Sequence, residues 1–299
     1  MDDDAAENQA RALLAASAGN ALRTARLRLS QGRSSSPALD ADVLLRHVLG
    51  IDRTALFARR QQPLTKEQRQ RYQALIEARL QGVPVAYLTG IREFMGYPFT
   101  VNPDVLIPRP ETEILVEWAL QWIAARLDAT VVDVGTGSGA IALSLAAILG
   151  PDWPGRVIAS DVSSRALAVA AANRDALGLT NKVALVQGFL LESLAQPVDL
   201  ILANLPYLRP DQVVANPDLA AEPRLAFDGG EGGMMLIAAL LRDAPRVLRT
   251  GGTIGLEIDP GQASTVTALA QSSFPSADIT LLRDLAGLHR HVIIQIPDR

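Results

Sequence analysis

The residues best suited to chemistry are four that follow an apolar run ending at Ala203, namely Asn204, Leu205, Pro206 and Tyr207. The side-chain oxygen of Asn204 and the main-chain carbonyl of Leu205 could each accept one N–H of a planar amide or amine. Together they would position that nitrogen and favour the pyramidal geometry that it needs as a nucleophile. Tyr207 would pack on the planar group and help to exclude water. The alternative is structural, with Asn204 bonding its own backbone in a turn and Pro206 and Tyr207 ending a strand.

A glycine-rich turn is the second chemical feature. Glycine lets the backbone approach a ligand closely, and in an α/β sheet the ligand lies beyond the carboxyl ends of the strands. Asp161 ends the next strand about 20 residues later, where a carboxylate can hold both hydroxyls of a ribose. A cofactor that contains a nucleoside is therefore expected, although a tight turn without a ligand would have the same pattern. The candidate cofactor-binding residues of the turn are Asp133, Gly135, Thr136, Gly137, Ser138 and Gly139.

Two classes of cofactor fit this turn. Gly135, Gly137 and Ala140 satisfy the dinucleotide-binding pattern with alanine in the third place. Asp133 favours S-adenosylmethionine, because a carboxylate here suits a sulfonium and an ammonium better than a pyrophosphate. The Asp-x-Gly-x-Gly-x-Gly run also resembles motif I of the class I methyltransferases. We therefore expect S-adenosyl-L-methionine as cofactor and S-adenosyl-L-homocysteine as product.

Buried strands that alternate with helices must position these residues. Apolar runs predict strands at 130–134, 157–160, 183–187, 200–203, 253–258, 279–282 and 292–296. Helices are predicted between them at 113–127, 140–149, 164–177, 234–248 and 262–272. This alternation is typical of an α/β fold with a doubly wound, mostly parallel sheet. If the strand at 200–203 is the fourth of that sheet, Asn204 lies at the same edge as Gly135 and Asp161.

The first part of the chain has a helical pattern. Residues 11–29 are rich in Ala, Leu and Arg, which favours a helix. Ser36-Pro37 predicts a capping hydroxyl followed by proline at the first helical position, with the apolar residues from Leu39 to Val48 on one face. Thr65 and Gln68 predict a capping box for a further helix. Helices that decorate a single domain would leave the same pattern as a separate bundle.

Three parts of the chain are therefore expected. Residues 1–85 form a helical bundle, residues 86–106 form a β-hairpin linker around Gly96, and residues 107–299 form the catalytic domain.

The composition excludes several functional classes. The chain has no Cys, which excludes disulfides, thiolate catalysis and Cys-ligated zinc, and its three scattered His predict no metal site. A net charge of -4 provides no basic field for a phosphate backbone, so no direct contact with nucleic acid is expected. The acidic start and the shortness of the apolar run at 140–149 predict no leader and no membrane span. We expect a cytoplasmic monomer.

Several motifs together resemble one family. Asn204–Tyr207 resembles the Asn-Pro-Pro-Tyr motif of methyltransferases that modify planar nitrogens. Leu106–Glu113, with the sequence Leu-Ile-Pro-Arg-Pro-Glu-Thr-Glu, resembles the hallmark of the HemK/PrmC family, the peptide chain release factor glutamine methyltransferases. The resemblance spans residues 36–295. Its further matches are Ser36-Pro37 with Leu39–Ala41, Pro84–Gly90, Glu222–Ala226, Gly251-Gly252 with Leu256–Ile258, and Asp284–Gly287.

The resemblance implies methyl transfer from S-adenosylmethionine to the side-chain amide nitrogen of the glutamine in the Gly-Gly-Gln loop of class I release factors. It implies a Rossmann-like catalytic domain, joined by a β-hairpin to an N-terminal helical bundle that contacts the release factor. Residues 135–139 and Asp161 would hold the cofactor, and residues 204–207 would hold the glutamine. Arg109 would lie near the cleft or form a structural salt bridge.

Three residues depart from the family pattern. Leu205 stands where the family has its first proline, so the carbonyl acceptor is kept but the fixed φ is lost. Phe189 stands where an aspartate is common, so Phe189 or Leu190 would replace an adenine contact by apolar packing. Asp259 stands where glycine is usual.

Other functions share parts of this pattern. A DNA or RNA methyltransferase would present an exocyclic amine to the same two acceptors, and a nicotinamide-dependent oxidoreductase would use the same glycine turn. A cofactor-binding protein with catalysis weakened at Leu205 is a further alternative.

Overall fold

The computed structural model describes residues 17–298, and the chain divides into two compact units at Gly90 and Ile91. The beginning of the helix predicted at 11–29 lies outside the described residues. None of the described helices is both long enough and apolar enough to cross a membrane.

The N-terminal unit consists of helices around a small apolar core. Its α-helices are α1 (Ala18–Ser30), α2 (Pro37–Leu49), α3 (Arg53–Ala58), α4 (Lys66–Leu80) and α5 (Val85–Thr89). Its core contains Leu22, Leu44, Leu56, Tyr72 and Ile76. The predicted capping box at the start of α4 is confirmed.

The start of α2 differs from the prediction in two ways. The hydroxyl of Ser36 makes no capping hydrogen bond. The Ser36 N–H donates to Ser34 Oγ at 3.2 Å, and Ser34 Oγ donates to Asp40 Oδ2 at 2.7 Å. Leu39 is 57% exposed and does not belong to the buried face. It lies about 140° around the helix from the buried Leu44, since each residue turns the helix by about 100°.

The C-terminal unit begins with a β-hairpin of β1 (Ile91–Phe94) and β2 (Tyr97–Thr100), which pair antiparallel. Met95 and Gly96 form its two-residue turn with φ of 52° and 79°, as a type I′ hairpin turn requires. The hairpin predicted around Gly96 is thus present, whereas residues 86–89 of the predicted linker belong to α5. The N–H of Met95 donates to Glu113 Oε1 at 2.8 Å, which offsets the left-handed backbone of a residue that is not glycine.

The main sheet of this unit has the strand order β5-β4-β3-β6-β7-β9-β8. Its strands are β3 (Thr130–Val134), β4 (Arg156–Asp161), β5 (Val183–Gln187), β6 (Val198–Ala203), β7 (Leu248–Glu257), β8 (Asp278–Arg283) and β9 (His289–Gln295). Strands β3 to β7 are parallel, and β9 is antiparallel to both β7 and β8. The predicted doubly wound, mostly parallel sheet is therefore confirmed.

Helices cover both faces of this sheet. They are α6 (Pro110–Ala124), α7 (Ala140–Leu149), α8 (Ser164–Ala176), α10 (Met235–Asp243) and α11 (Ala263–Ser273), while the short helix α9 (Pro210–Ala215) has no buried residues. Alternate residues of β6 belong to two different apolar clusters, Leu200 and Leu202 to one and Ile201 and Ala203 to the other. Such alternation is how a strand buried on both faces contributes to two cores.

One predicted helix is shorter than expected. The prediction at 234–248 runs into β7, whereas α10 ends at Asp243 and continues as a 3-10 turn over Ala244–Arg246. Pro245 explains the difference, because proline cannot donate the main-chain hydrogen bond that would continue an α-helix.

The order of the strands determines where a ligand can bind. Strand β3 lies between β4 and β6, because β4 and β5 are added on one side of β3 and the chain then crosses to add β6 on the other side. The loops after these three strands meet at the carboxyl edge, which is the position of ligand sites in doubly wound sheets.

Candidate active site

A cavity of about 350 Å³ lies at this edge of the sheet. Its volume is in the range of sites that bind small molecules and cofactors. The structure brings most of the predicted site residues to its wall: Gly135, Thr136, Gly137, Ser138, Asp161, Phe189, Leu190, Asn204, Leu205 and Pro206. Asp133, Gly139 and Tyr207 are not among the lining residues.

The glycine turn has a left-handed backbone at each of its glycines. Gly135, Gly137 and Gly139 have φ of 76°, 57° and 85°. The N–H groups of Gly135 and Thr136 both donate to the carbonyl of Ser160 at 2.9 Å, which ties the turn to the end of β4. A Cβ on Gly137 would meet no atom within 4 Å, so this glycine leaves its side of the backbone open.

Asp161 is held at the cavity by main-chain hydrogen bonds. Its Oδ2 accepts the N–H of Gly137 at 2.9 Å, and its Oδ1 accepts the N–H of Ser163 at 2.9 Å. Partial burial raises the pKa of Asp161, and these main-chain donors offset only part of that rise. Each carboxylate oxygen can still accept a second hydrogen bond, as the two hydroxyls of a ribose would require.

Asp133 lies beneath the turn rather than in the cavity. It is 1% exposed, and its Oδ2 accepts hydrogen bonds from Thr136 Oγ1 at 2.6 Å and from the N–H of Ala142 at 3.2 Å. Burial raises its pKa to about 7. Asp133 therefore does not face a cofactor in the cavity, contrary to what the sequence suggested. It supports the turn and the start of α7 instead.

Asn204 belongs to a chain of side-chain hydrogen bonds. Its Nδ2 donates to Thr112 Oγ1 at 3.0 Å, and Thr112 Oγ1 donates to Glu257 Oε2 at 2.6 Å. Tyr207 donates its hydroxyl to Glu257 Oε1 at 3.2 Å. Because Asn204 offers its nitrogen to Thr112, its Oδ1 is left as an acceptor for a ligand.

The predicted stacking of Tyr207 on a substrate does not match its position, because its ring does not line the cavity and its hydroxyl is bound to Glu257. Burial and the nearby carboxylate raise the pKa of Tyr207.

The three departures from the family pattern have distinct structural settings. Leu205 is buried and packs in the same apolar cluster as Val134 and Ala203. Phe189 lines the cavity although it is 42% exposed. Asp259 caps a 3-10 turn by accepting the N–H of Gly261 at 2.9 Å, and does not line the cavity.

Arg109 fits both of the roles that the sequence left open. It lines the cavity and also forms an ion pair with the buried carboxylate of Glu222, which in addition accepts the N–H of Ile107 at 3.0 Å. The pair joins the loop before α6 to the segment that carries Pro223 and Leu225, two further residues of the cavity wall.

Sequence reasoning assigned no role to three residues that support the site. Thr112 and Glu257 occur in motifs that carry the resemblance, but nothing in the sequence shows that they meet. Asn173 of α8 is buried, and its side chain bonds the main chain of Thr100 in both directions and donates to the carbonyl of Ser138 at 2.9 Å. A single asparagine on a helix gives no signal of such a role.

Comparison with known proteins identifies the family. Residues 20–90 match the family described as the PrmC N-terminal domain, and residues 126–277 match the one described as a methyltransferase domain. The release factor glutamine methyltransferase of Moorella thermoacetica is 41% identical over 272 residues, which cover 90% of this chain and 95% of that protein. The chain belongs to the release factor glutamine methyltransferase family. Within this family, the protein of Bordetella pertussis is 42% identical over 257 residues, with 85% of this chain and 93% of that protein covered.

The fold agrees with that of solved methyltransferase structures. The catalytic domain of hMettl16, in complex with MAT2A 3'UTR hairpin 6, aligns with a TM-score of 0.56 and covers 78% of this chain and 83% of that one. The sequence identity is 14%, so the likeness concerns the fold alone. The Rossmann-like class I methyltransferase fold expected from the sequence is confirmed.

The cavity suits S-adenosylmethionine, the cofactor of such enzymes. The open backbone at Gly137 leaves room for close approach, and Asp161 presents a carboxylate to the same space. Phe189 and Leu190 provide an apolar wall for a base. These groups therefore fit a nucleoside-containing ligand.

Proposed function

We propose that this protein transfers a methyl group from S-adenosylmethionine to the side-chain amide nitrogen of the Gly-Gly-Gln glutamine in class I peptide chain release factors. The observation that carries the proposal is the orientation of Asn204, whose nitrogen is bound to Thr112 so that its oxygen can receive a substrate N–H. The family supports the same substrate, because its related proteins are named release factor glutamine methyltransferases.

Asn204 and Leu205 would hold the two hydrogens of the glutamine amide. A planar amide nitrogen is a poor nucleophile because its lone pair is delocalised into the carbonyl. Two acceptors, Asn204 Oδ1 and the carbonyl of Leu205, would orient the nitrogen and favour the geometry in which the lone pair is localised. The apolar cavity wall would exclude water, which strengthens these hydrogen bonds.

The glycine turn and Asp161 would hold the cofactor. When bound, S-adenosylmethionine supplies an electrophilic methyl group. Asp161 would accept hydrogen bonds from the ribose, and residues 135–138 would lie against the cofactor at the cavity wall. Phe189 and Leu190 would pack against the adenine, in place of the aspartate that is common at this position.

The helices before Gly90 would make the release-factor contacts that lie outside the cavity. Their match to the PrmC N-terminal domain family supports this assignment, which rests on the family likeness. We further propose that the enzyme acts as a monomer in the cytoplasm, and that its contacts are with the release factor and not with nucleic acid.

The decisive experiment offers the enzyme two substrates at once. Purified protein is incubated with methyl-labelled S-adenosylmethionine, a class I release factor and a DNA or RNA oligonucleotide. The label is counted in the separated protein and oligonucleotide, its position in the protein is found by peptide mass spectrometry, and cofactor binding is measured by calorimetric titration. A release factor in which the Gly-Gly-Gln glutamine is replaced by glutamate is the matched control. We expect label on that glutamine alone. Label on the nucleic acid would favour an exocyclic-amine methyltransferase, and binding without transfer would favour a protein with weakened catalysis.

A further inference from the structure

We propose that Thr112 and Glu257 are positioning residues that fix the side-chain amide of Asn204 with its oxygen toward the substrate. The inference rests on the proposed function, in which Asn204 receives one N–H of the glutamine. It concerns residues on three separate elements, because Thr112 lies in α6, Glu257 ends β7 and Asn204 follows β6.

The direction of the hydrogen-bond chain follows from the acceptor at its end. An ionised carboxylate can only accept, so the hydroxyl hydrogen of Thr112 must point to Glu257 Oε2, at 2.6 Å. The remaining lone pairs of Thr112 Oγ1 then face Asn204, at 3.0 Å, and require a donor there. Asn204 can supply a donor only through Nδ2, which leaves Oδ1 for the substrate.

Glu257 is itself held rigidly. It is 2% exposed, lies at the end of β7 between β6 and β9, and receives a second hydrogen bond from Tyr207. The titratable and charged groups that act on it are Tyr207, Arg290 and Glu111, together with His291, whose Nε2 lies 3.9 Å from Oε2. The Glu257 carboxylate can therefore hold the hydroxyl of Thr112 although Glu257 does not line the cavity.

Without its charge, Glu257 would no longer fix the orientation of the Asn204 amide. A protonated Glu257 could donate to Thr112, and the Thr112 hydroxyl could then donate to Asn204 Oδ1 after the amide has rotated. The rotated amide would present two N–H groups to the N–H groups of the glutamine, which cannot pair. Burial raises the pKa of Glu257 to about 7, so we expect kcat to fall as the pH decreases through about 7.

Four substitutions separate positioning from stability. Thr112→Val keeps the shape of the side chain but removes the hydroxyl, and Thr112→Ser restores it. Thr253→Val is the matched control, because Thr253 is a buried threonine of β7 whose hydroxyl accepts a hydrogen bond from Trp122 Nε1 at 2.9 Å, outside the cavity. Glu257→Gln keeps the size of the carboxylate and removes its charge.

Methylation kinetics give the first set of expected results. Thr112→Val lowers kcat about 10- to 100-fold, the loss typical when a positioned group is left free to rotate, whereas Thr112→Ser stays within about threefold of the unmodified protein. The affinity for S-adenosylhomocysteine stays within about twofold in each variant, since no contact with the turn is changed. In Glu257→Gln, kcat should no longer change as the pH passes through about 7. Thr253→Val should have the same kcat as the unmodified protein.

A measurement on the ligand-free protein tests the inference without turnover. In protein labelled with ¹⁵N-asparagine, the two Nδ2 protons of Asn204 are assigned by their loss in Asn204→Ala. We expect Thr112→Val to shift them and to speed their exchange with solvent, whereas Thr112→Ser and Thr253→Val leave them unchanged. Unchanged signals together with an unchanged kcat in Thr112→Val would overturn the positioning role. Failure of the unmodified protein to methylate any release factor would instead overturn the proposed function, and the NMR result would still decide the inference.

Discussion

Two glycines of the turn after β3 differ in what surrounds them, and alanine substitution should separate stability from cofactor binding. An added Cβ on Gly139 would lie 2.6 Å from Leu143 Cδ1, and this glycine has φ of 85°. An added Cβ on Gly137 would meet nothing within 4 Å, at φ of 57°. Gly137 lines the cavity and Gly139 does not.

The expected losses of stability follow from these distances. A left-handed backbone costs an alanine about 1–2 kcal/mol at either position. Overpacking against Leu143 adds about 1–3 kcal/mol at Gly139 only, for a total of about 2–5 kcal/mol. Since about 1 kcal/mol shifts the Tm of a unit of this size by about 2–4 °C, we expect Gly139→Ala to lower Tm by about 10 °C and Gly137→Ala by about 4 °C.

Cofactor affinity should be reduced more by Gly137→Ala than by Gly139→Ala, the reverse of the order expected for Tm. Because Gly137 lines the cavity, we expect the added methyl group of Gly137→Ala to lower the affinity for S-adenosylhomocysteine about tenfold or more, and a tenfold loss corresponds to about 1.4 kcal/mol. Gly139→Ala, if folded at the temperature of the assay, loses less affinity. Thermal unfolding followed by circular dichroism and calorimetric titration measure the two effects. Equal Tm losses in the two variants would refute the packing argument, and unchanged affinity in Gly137→Ala would refute the assignment of the turn to the cofactor.

Three further predictions concern charge and backbone. Asp161→Asn should weaken S-adenosylhomocysteine binding about 10-fold or more in a calorimetric titration, because hydrogen bonds to a charged acceptor contribute about 1.5–3 kcal/mol, and equal affinity would remove Asp161 from the ribose site. Asp133 and Glu257 have folded-state pKa values raised to about 7, so their contribution to the free energy of unfolding is fully present below about pH 4 and is lost as the pH rises through about 7. Urea unfolding of Glu257→Gln should show a shallower decline between these limits than the unmodified protein, and an equal slope would contradict the raised pKa of Glu257. Leu205→Pro should leave kcat unchanged or increase it because proline restores a fixed φ, and a large loss in a methylation assay would show that the loop is placed incorrectly.

The sequence predicts the inner strands of the sheet well because strands such as β3 and β6 are buried on both faces. The prediction for β3 has the observed bounds, since a mostly apolar segment of β-branched residues that ends at a glycine has few alternative structures. The start of α2 was less predictable. Ser34 competes with Ser36 there, and the sequence alone does not show which hydroxyl is bound to Asp40.

The site was predictable where one loop carries the chemistry. The glycine turn and Asn204 follow buried strands, and parallel strands bring their carboxyl ends to one edge. The supporting contacts were not predictable, because Thr112 and Glu257 are 145 positions apart in the chain and meet only through the packing of α6 against the sheet. Tyr207 shows the same limit, since its motif position does not reveal that its hydroxyl is bound to Glu257 and not exposed to the cavity.

The most direct test of the account compares the unmodified protein with Asn204→Ala, using mass spectrometry of the release-factor glutamine after co-incubation with S-adenosylmethionine. We predict methylation of that glutamine by the unmodified protein and none by the variant, while the affinity for S-adenosylhomocysteine stays within a few fold. Equal methylation by the two proteins would contradict the central claim that the Asn204 carboxamide holds the substrate nitrogen.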